Sequence, residues 1–319
     1  MMAAKTDAQL ERLNQLRAAP SSPEALAELE KALRGKASIV AAKAAAIAEA
    51  AKLEALEPAL AAALEQFLAE ATDKGCLAKT AIAKALVAIE TRSEAAMLAG
   101  ARHVQMEPTW GGATDVAVEL RGVCAAGLVN MRSRHAMGVL VHLLADKSPA
   151  ARALAVRALV AHGGDAAEAL VRYKLLVGDE DYAVMAECFP AAIALTRSTE
   201  PVEPFLDSPD DGLREAAILA IGESRLPRAF ELLRDRWDVE VDPEMHKLLA
   251  MSIALTRQPA ASAFLLGIAE QSDSKAACLA IEALGMYRTD DAIRSKLSQI
   301  AEKRGGDVLR AFGQAFSSR

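Results

Sequence analysis

The sequence contains the pentapeptide Ile-Ala-Leu-Thr-Arg twice, at residues 193–197 and 253–257, which are 60 residues apart. Residues 218–225 hold a degenerate third copy, whose final Arg225 lies 28 residues after Arg197 and 32 residues before Arg257. A unit of about 30 residues that recurs along a chain is typical of repeat architectures, in which each unit buries its apolar face against its neighbours. The pattern therefore predicts a stack of similar units.

Composition indicates which secondary structure the units have. Of the 319 residues 52% are hydrophobic but only 4% are aromatic, so the core consists mainly of Ala, Leu, Ile and Val and suits closely packed helices. Apolar residues recur at helical spacing almost throughout, and no stretch shows the alternation expected of a strand. We predict an all-α chain that forms one elongated body, because a repeat array grows in length instead of thickness.

Helix signals divide the chain into four segments. Residues 1–35 are predicted to form N-terminal capping helices, with a Ser cap and Pro23 at the first helical position of the second. An Ala-rich helical repeat follows at 36–72, then repeats at 73–304 and a C-terminal cap at 305–319, all in one continuous solenoid. The second helices of successive pairs are predicted at 76–90, 116–130, 149–162, 181–196, 210–224, 243–256 and 274–287. The connection at 105–115 is longer than the others and is a candidate for a feature specific to this protein.

Three segments resemble the HEAT-type repeat of bacterial proteins. They are residues 139–159 (VLVHLLADKSPAARALAVRAL), residues 205–222 with Phe205-Leu206-Asp207, Arg214 and Ala220-Ile221-Gly222, and, more loosely, residues 265–285. The resemblance covers about 73–304 and implies a right-handed α-solenoid of about eight HEAT-like helix pairs. It also implies a ladder of Asp and Arg side chains between neighbouring repeats, at Asp146, Arg152, Asp207 and Arg214.

The unit at 181–196 departs from this pattern. It has no Lys or Arg between Glu180 and Leu195, and Pro190 falls inside its second helix. Because proline removes a backbone hydrogen bond and bends a helix, the stack is expected either to kink here or to tolerate an irregularity.

Charged residues sort by the kind of turn that carries them. Turns from first to second helices are acidic, and they carry Asp73, Asp115, Asp146, Asp179, Glu180, Asp181, Asp207, Asp210, Asp211, Asp235, Asp238, Glu240, Asp242 and Asp273. Turns to the next repeat are basic, and they carry Arg92, Arg132, Arg134, His135, His162, Arg197, Arg225, Arg228, Arg257 and Arg288. One edge of the stack is therefore predicted to be acidic and the other basic. Helix capping explains this asymmetry, and the alternative is that the basic edge also binds an acidic segment of a partner.

The only two tryptophans, Trp110 and Trp237, are both placed in connections on the acidic side. Each is interpreted either as a cover for the end of its own helix pair or as an exposed anchor for a partner, since Trp is enriched at interface hot spots. The candidate partner-binding residues are therefore Trp110, Trp237, Arg132, Arg134, His135, Arg197, Arg225, Arg257 and Arg288.

Motifs for catalysis are absent from the sequence. There is no phosphate-binding Gly-rich loop, no His-Glu-x-x-His and no Gly-x-Ser-x-Gly, so no catalytic residue, metal or cofactor is predicted. Cys76, Cys124, Cys188 and Cys278 are far apart and are interpreted as small buried hydrophobic residues. His135, His142 and Asp146 could form a metal or acid–base site, but no fourth ligand is evident.

Charge and hydropathy restrict the partners. The formal net charge is −6 and the isoelectric point about 5.6, which argues against nucleic acid and membrane surfaces as partners. No apolar run is long enough for a signal core or a membrane span, so a cytoplasmic protein is expected. The first hypothesis is a non-catalytic scaffold that binds another protein through its concave face or charged edges. The alternative is a HEAT-type enzyme, such as a bilin lyase or a DNA glycosylase.

Overall fold

The computed structural model describes residues 2–70 and 72–317, so the two predicted terminal caps include residues outside the described part. The chain divides into two compact units, residues 1–167 (unit 1) and 168–319 (unit 2). Both are built almost entirely from α-helices. The all-α prediction is confirmed.

Unit 1 contains a series of packed helix pairs and one β-hairpin. Its helices are α1 (Met2–Leu16), α2 (Pro23–Leu33), α3 (Ser38–Ala51), α4 (Glu57–Ala69), α5 (Leu77–Ala88), α6 (Glu94–Ala101), α7 (Val118–Asn130), α8 (Ala136–Leu144) and α9 (Pro149–His162), and α10 (Gly164–Val177) contains the boundary with unit 2. The second helices α3, α5, α7 and α9 pack against one another in that order. Small buried side chains, including Ala41, Ala44 and Ala45 of α3, allow this close packing. The Ala-rich segment is thus a packed repeat.

Unit 2 repeats the arrangement. Its helices are α11 (Tyr182–Thr196), α12 (Asp211–Ser224), α13 (Ala229–Val239), α14 (Pro243–Leu255), α15 (Pro259–Gln271), α16 (Ser274–Leu284), α17 (Asp291–Arg304) and α18 (Gly306–Phe316). The second helices α11, α12, α14, α16 and α18 stack in order. A short 3₁₀-helix, Glu203–Asp207, replaces the first helix of the pair that ends with α12. The helix predicted as a C-terminal cap, α18, packs on α16 as the other second helices do.

The connection at 105–115 forms an antiparallel hairpin of β1 (Met106–Thr109) and β2 (Gly112–Asp115), so the expectation that no strand is present was wrong. Its turn depends on Gly111, which has a φ of 90°. Most of its residues are exposed on both faces. A strand that buries neither face shows no apolar alternation, which is why periodicity missed it.

Pro190 lies within α11, which continues from Tyr182 to Thr196, in agreement with a tolerated irregularity. One further expectation needs correction. Trp237 lies in the last turn of α13 and not in a connection, because that helix extends to Val239. Asp235 and Asp238 belong to α13 for the same reason.

Candidate partner-binding edge

Six second helices, α3, α5 and α7 in unit 1 and α11, α12 and α14 in unit 2, end in one backbone conformation. The residue at this position has a left-handed backbone with φ between 48° and 55° at Lys52, Glu90, Arg132, Arg197, Arg225 and Arg257. Glycine is the usual residue at such a helix end, because a Cβ in this region costs about 1–2 kcal/mol. In unit 2 three successive positions, Arg197, Arg225 and Arg257, carry arginine instead. We call these three residues the arginine edge.

A hydroxyl side chain immediately before each of these arginines fixes the turn. Thr196, Ser224 and Thr256 donate hydrogen bonds of 2.6–2.8 Å to helix carbonyls three or four residues earlier. The same hydroxyls accept bonds of 3.2–3.5 Å from the backbone N–H two residues later. The repeated Thr-Arg dipeptide is thus a helix-ending motif that projects its arginine away from the core.

The side chains of the arginine edge are exposed. None of the ion pairs in the described part of the chain involves Arg197, Arg225 or Arg257. Other arginines of unit 2 are paired, for example Arg236 with Asp207 at 3.1 Å and with Glu240 at 2.7 Å. The arginine edge therefore presents three guanidinium groups whose hydrogen-bonding capacity is available to a partner.

Bonds between repeats hold this edge in place. The side chain of Gln258 donates to the carbonyl of Leu226 at 2.8 Å. The hydroxyl of Tyr287 donates to the carbonyl of Ala254 at 2.6 Å. Each bond links the turn of one repeat to the next, so the positions of Arg225 and Arg257 are fixed relative to each other.

The other predicted basic residues occupy different settings. Arg288 is exposed and follows a 3₁₀ turn; its backbone is right-handed, with a φ of −55°, and so differs from that of the arginine edge. Arg132 in unit 1 shares the left-handed conformation. Arg134 and His135 lie at the start of α8, where the Nε of Arg134 donates to Nε2 of His135 at 3.2 Å.

On the acidic edge, capping is confirmed. Aspartates that precede second helices accept hydrogen bonds from first-turn N–H groups at Asp73, Asp181, Asp210, Asp242 and Asp273. Asp115 accepts from the N–H of Ala117, immediately before α7. These carboxylates neutralise the unpaired donors of a helix N-terminus. These carboxylates therefore stabilise the fold through hydrogen bonds, whereas the guanidinium groups of the arginine edge make no ion pair within it.

A buried arginine that the sequence reading missed joins two repeats of unit 1. Arg121 is 3% exposed and pairs with Asp115 at 2.6 Å and with Asp146 of the next repeat at 3.1 Å. Burial alone raises the pKa of Asp115, but bonds from Arg121 and two backbone N–H groups outweigh it and hold that pKa below its ordinary value. The implied Asp–Arg ladder is present here with Arg121 as the partner of Asp146. The six-residue spacing of Asp115 and Arg121, which Asp146 and Arg152 share, was the available signal.

An apolar depression of about 700 Å³ lies between α11 and α12 beside Arg197. Pro190, Ile193, Ala194 and Leu226 line it. Pro190 is exposed on the side of α11 that faces this depression, where its ring adds apolar surface. The depression could accept an aliphatic side chain next to a guanidinium group.

The tryptophans differ from each other. Trp110 is fully exposed at the tip of the β1–β2 hairpin and does not cover a helix end. Trp237 is half-buried, with its ring 4.6 Å from that of His246 and 6.3 Å from that of Phe264. Trp237 therefore packs within its own repeats, whereas Trp110 retains the exposure that an anchor requires.

The cysteines have the environment of core residues. Burial raises the pKa of the Cys124 and Cys188 thiols to about 12 and that of Cys76 to about 11, so these groups stay protonated at neutral pH. Cys278 is only half-buried. Within residues 2–70 and 72–317 no cluster of His, Cys, Asp and Glu side chains is arranged to hold a metal ion, and His135, His142 and Asp146 do not form one. No helix in that part of the chain has the length and apolarity needed to span a bilayer.

Comparison with known proteins gives only remote similarity. No protein-family model and no curated sequence matches the chain. One similar solved structure is the complex of CpcE and CpcF of phycocyanin lyase from Nostoc sp. PCC7120, with a TM-score of 0.36 and 18% identity over 79% of this chain and 94% of that chain. An engineered protein has a TM-score of 0.37 and 18% identity over 98% of this chain and 96% of that chain. Neither similarity supports an inference about function.

Proposed function

We propose that the chain is a protein-binding scaffold whose arginine edge in unit 2 binds an acidic, extended segment of a partner protein. One observation carries the proposal: three exposed and unpaired arginines occupy equivalent left-handed positions at the ends of stacked helices. A cation at a helix C-terminus gains about 0.3–1 kcal/mol from the helix dipole, which does not exceed the cost of about 1–2 kcal/mol that the left-handed backbone imposes on a residue other than glycine. A binding role accounts for the retained side chains.

The geometry of the stack indicates the conformation of the segment. Neighbouring packed helices lie roughly 8–10 Å apart. A polyproline II chain advances about 9 Å in three residues and returns to the same face after each turn. An extended segment with an acidic residue at every third position would therefore match one carboxylate to each of Arg197, Arg225 and Arg257.

Ion pairs alone would bind such a segment weakly. Exposed pairs contribute about 0.2–1 kcal/mol each, so three of them cannot offset the cost of association, which is at least about 4 kcal/mol. The apolar depression beside Arg197 supplies surface that a Leu side chain could bury. Glu223 also borders the depression and disfavours a uniformly acidic partner. The expected segment is thus amphipathic, with an aliphatic residue beside its first acid.

A labelled peptide tests the proposal. We would measure fluorescence anisotropy with a twelve-residue peptide that carries Glu at every third position and one Leu beside the first Glu. Its counterpart with Gln in place of Glu is the neutral probe. The wild type should bind the acidic peptide more tightly than the neutral probe. The double variant Arg197→Glu/Arg257→Glu should bind the acidic peptide at least about tenfold more weakly than the wild type does, since two attractions become repulsions.

The matched control is Lys52→Glu in unit 1. It reverses one charge in the same left-handed conformation, and Glu90 shows that glutamate is accommodated there. This variant should bind the peptide as the wild type does. Equal affinity of the double variant and the wild type for the acidic peptide would refute the proposal. A gel shift with DNA and an absorption spectrum with a bilin test the enzyme alternative separately.

A further inference from the structure

A groove of about 530 Å³ lies in unit 1, over α7 and between the first helices α6 and α8. The groove lies between α6 and α8 because α6 packs against α4, whereas α6 and α8 are not closely packed against each other. Residues of α8 form one wall of the groove. This volume lies within the range of sites that hold small molecules, about 300–1,000 Å³.

The accessible charge of the groove is positive. Arg102 and Arg134 line it, are exposed, and take part in none of the ion pairs in the described part of the chain. The acidic residue of the lining, Asp146, is bound to the buried Arg121 at 3.1 Å. Asp115 binds the same guanidinium from the other side. An anion in the groove would therefore meet two guanidinium groups that make no ion pair, while the carboxylates behind them are held by Arg121.

Two histidines add polar groups to this lining. The Nδ1 of His142 lies 2.7 Å from the carbonyl oxygen of Gly138. Because a carbonyl oxygen only accepts, Nδ1 is the donor in this bond. His135 accepts from Arg134 through Nε2, which assigns its proton to Nδ1. The rest of the lining is apolar. Val104 is 58% exposed, whereas Val139 and Leu143 are largely buried and form the floor of the groove.

Gly138 keeps the groove open. It lies inside α8, where glycine costs about 0.5–1 kcal/mol relative to alanine. A Cβ at this position would meet no atom within 4 Å, so packing does not require glycine. A larger residue would instead fill the space that borders Arg134, His135 and His142.

We propose that this groove binds a small organic anion, in which a carboxylate is attached to a flat apolar body. The two guanidinium groups favour a carboxylate, which they can bind through paired N–H donors. The exposed side chain of Val104 favours an apolar body over an inorganic ion, which would leave that side chain without contact. The site is independent of the arginine edge.

Calorimetry with 2-naphthoate tests this proposal on the full chain. The neutral isostere 2-naphthalenemethanol and inorganic phosphate are the comparison probes. Naphthoate should bind, and both comparison probes should bind at least about tenfold more weakly, because each lacks one of the two recognised parts. The variant Arg102→Gln/Arg134→Gln should weaken naphthoate binding by about tenfold or more and leave the alcohol unchanged.

A steric variant locates the site. Gly138→Leu should abolish naphthoate binding, whereas Gly267→Leu should not, although Gly267 also lies inside a helix with open space around its Cβ position. Circular dichroism and the urea midpoint would show that both variants fold. No binding of naphthoate to the wild type, equal binding of naphthoate and the alcohol, or undiminished binding to Gly138→Leu would each overturn the proposal.

Discussion

At the residue scale, unit 2 uses its acidic and basic side chains differently. Asp181, Asp210, Asp242 and Asp273 accept bonds from helix N-termini and are part of the fold. Each residue of the arginine edge has a left-handed backbone, which costs about 1 kcal/mol or more, and none of the three makes an ion pair. In unit 2 the aspartates at helix N-termini therefore stabilise the fold, whereas the guanidinium groups of the arginine edge are available to a partner.

Glu240 provides a measurable example of the structural function. Burial alone raises its pKa, but bonds from the N–H groups of Val241 and Asp242 and from Arg236 outweigh burial and lower that pKa to about 2, from an ordinary 4.5. The charged form is thus favoured in the folded state. Its stabilisation is fully present above about pH 4.5 and is lost as the pH falls towards 2.

We therefore expect Glu240→Gln to lower the free energy of unfolding at pH 7 by roughly 3 kcal/mol at most, and to change it little at pH 2. Urea denaturation between pH 2 and pH 7 measures this difference. Glu244→Gln, which removes an exposed carboxylate from the first turn of α14, is the control and should shift the curve only slightly. Parallel pH profiles of the Glu240→Gln variant and the wild type would contradict the assignment.

At the scale of the helices, two glycines inside helices show how tightly the stack is packed. A Cβ on Gly222 of α12 would lie 2.6 Å from the carbonyl oxygen and 2.9 Å from the Cα of Ser252 in α14. These are backbone atoms, which cannot move without shifting a helix. A Cβ on Gly267 of α15 would meet nothing within 4 Å.

The two alanine substitutions should therefore have opposite signs. Gly222→Ala is expected to destabilise the protein by about 1–2 kcal/mol, because overpacking outweighs the gain in helix propensity. Gly267→Ala is expected to stabilise it by about 0.5–1 kcal/mol. Thermal and urea unfolding of both variants would measure this, and stabilisation by Gly222→Ala would show that α12 and α14 are less closely packed.

Much of this element-scale structure could be predicted from the sequence. Apolar periodicity and the acidic caps located the second helices, from α5 to α16, within a few residues of their observed ends, because both signals are local. The hairpin at 106–115 and the position of Trp237 were missed, since exposed strands lack alternation and α13 has no strong stop signal. The left-handed conformation of Arg197 could not be predicted, because no residue type at that position is specific for it. The pairing of Arg121 with Asp146 was missed because only the packed fold brings these two residues together, although the six-residue spacing of Asp115 and Arg121 was a local signal for the ladder.

At the scale of the whole molecule, the net charge of −6 opposes an acidic partner. The arginine edge can act against this repulsion only over short distances, since the Debye length at 0.1 M salt is about 10 Å. That length is similar to the expected spacing of the arginines. Binding of the acidic peptide should therefore be governed by local contacts and weaken as those contacts are screened.

We expect the affinity for the Glu peptide to fall several-fold when NaCl rises from 50 to 300 mM, with little change for the Gln peptide. Anisotropy titrations at four salt concentrations would measure the slope. An affinity that increases with salt would mean that repulsion by the net charge exceeds the local attraction of the arginine edge.

The left-handed helix ends are positions where one charged residue can be substituted by another. Lysine, glutamate and arginine all occupy this conformation in the same chain, at Lys52, Glu90, Arg132, Arg197, Arg225 and Arg257. The backbone at these positions thus tolerates side chains of either charge. Substitutions at these helix ends, made one repeat at a time, would change the charge that a partner meets while the alanine and leucine core stays unchanged.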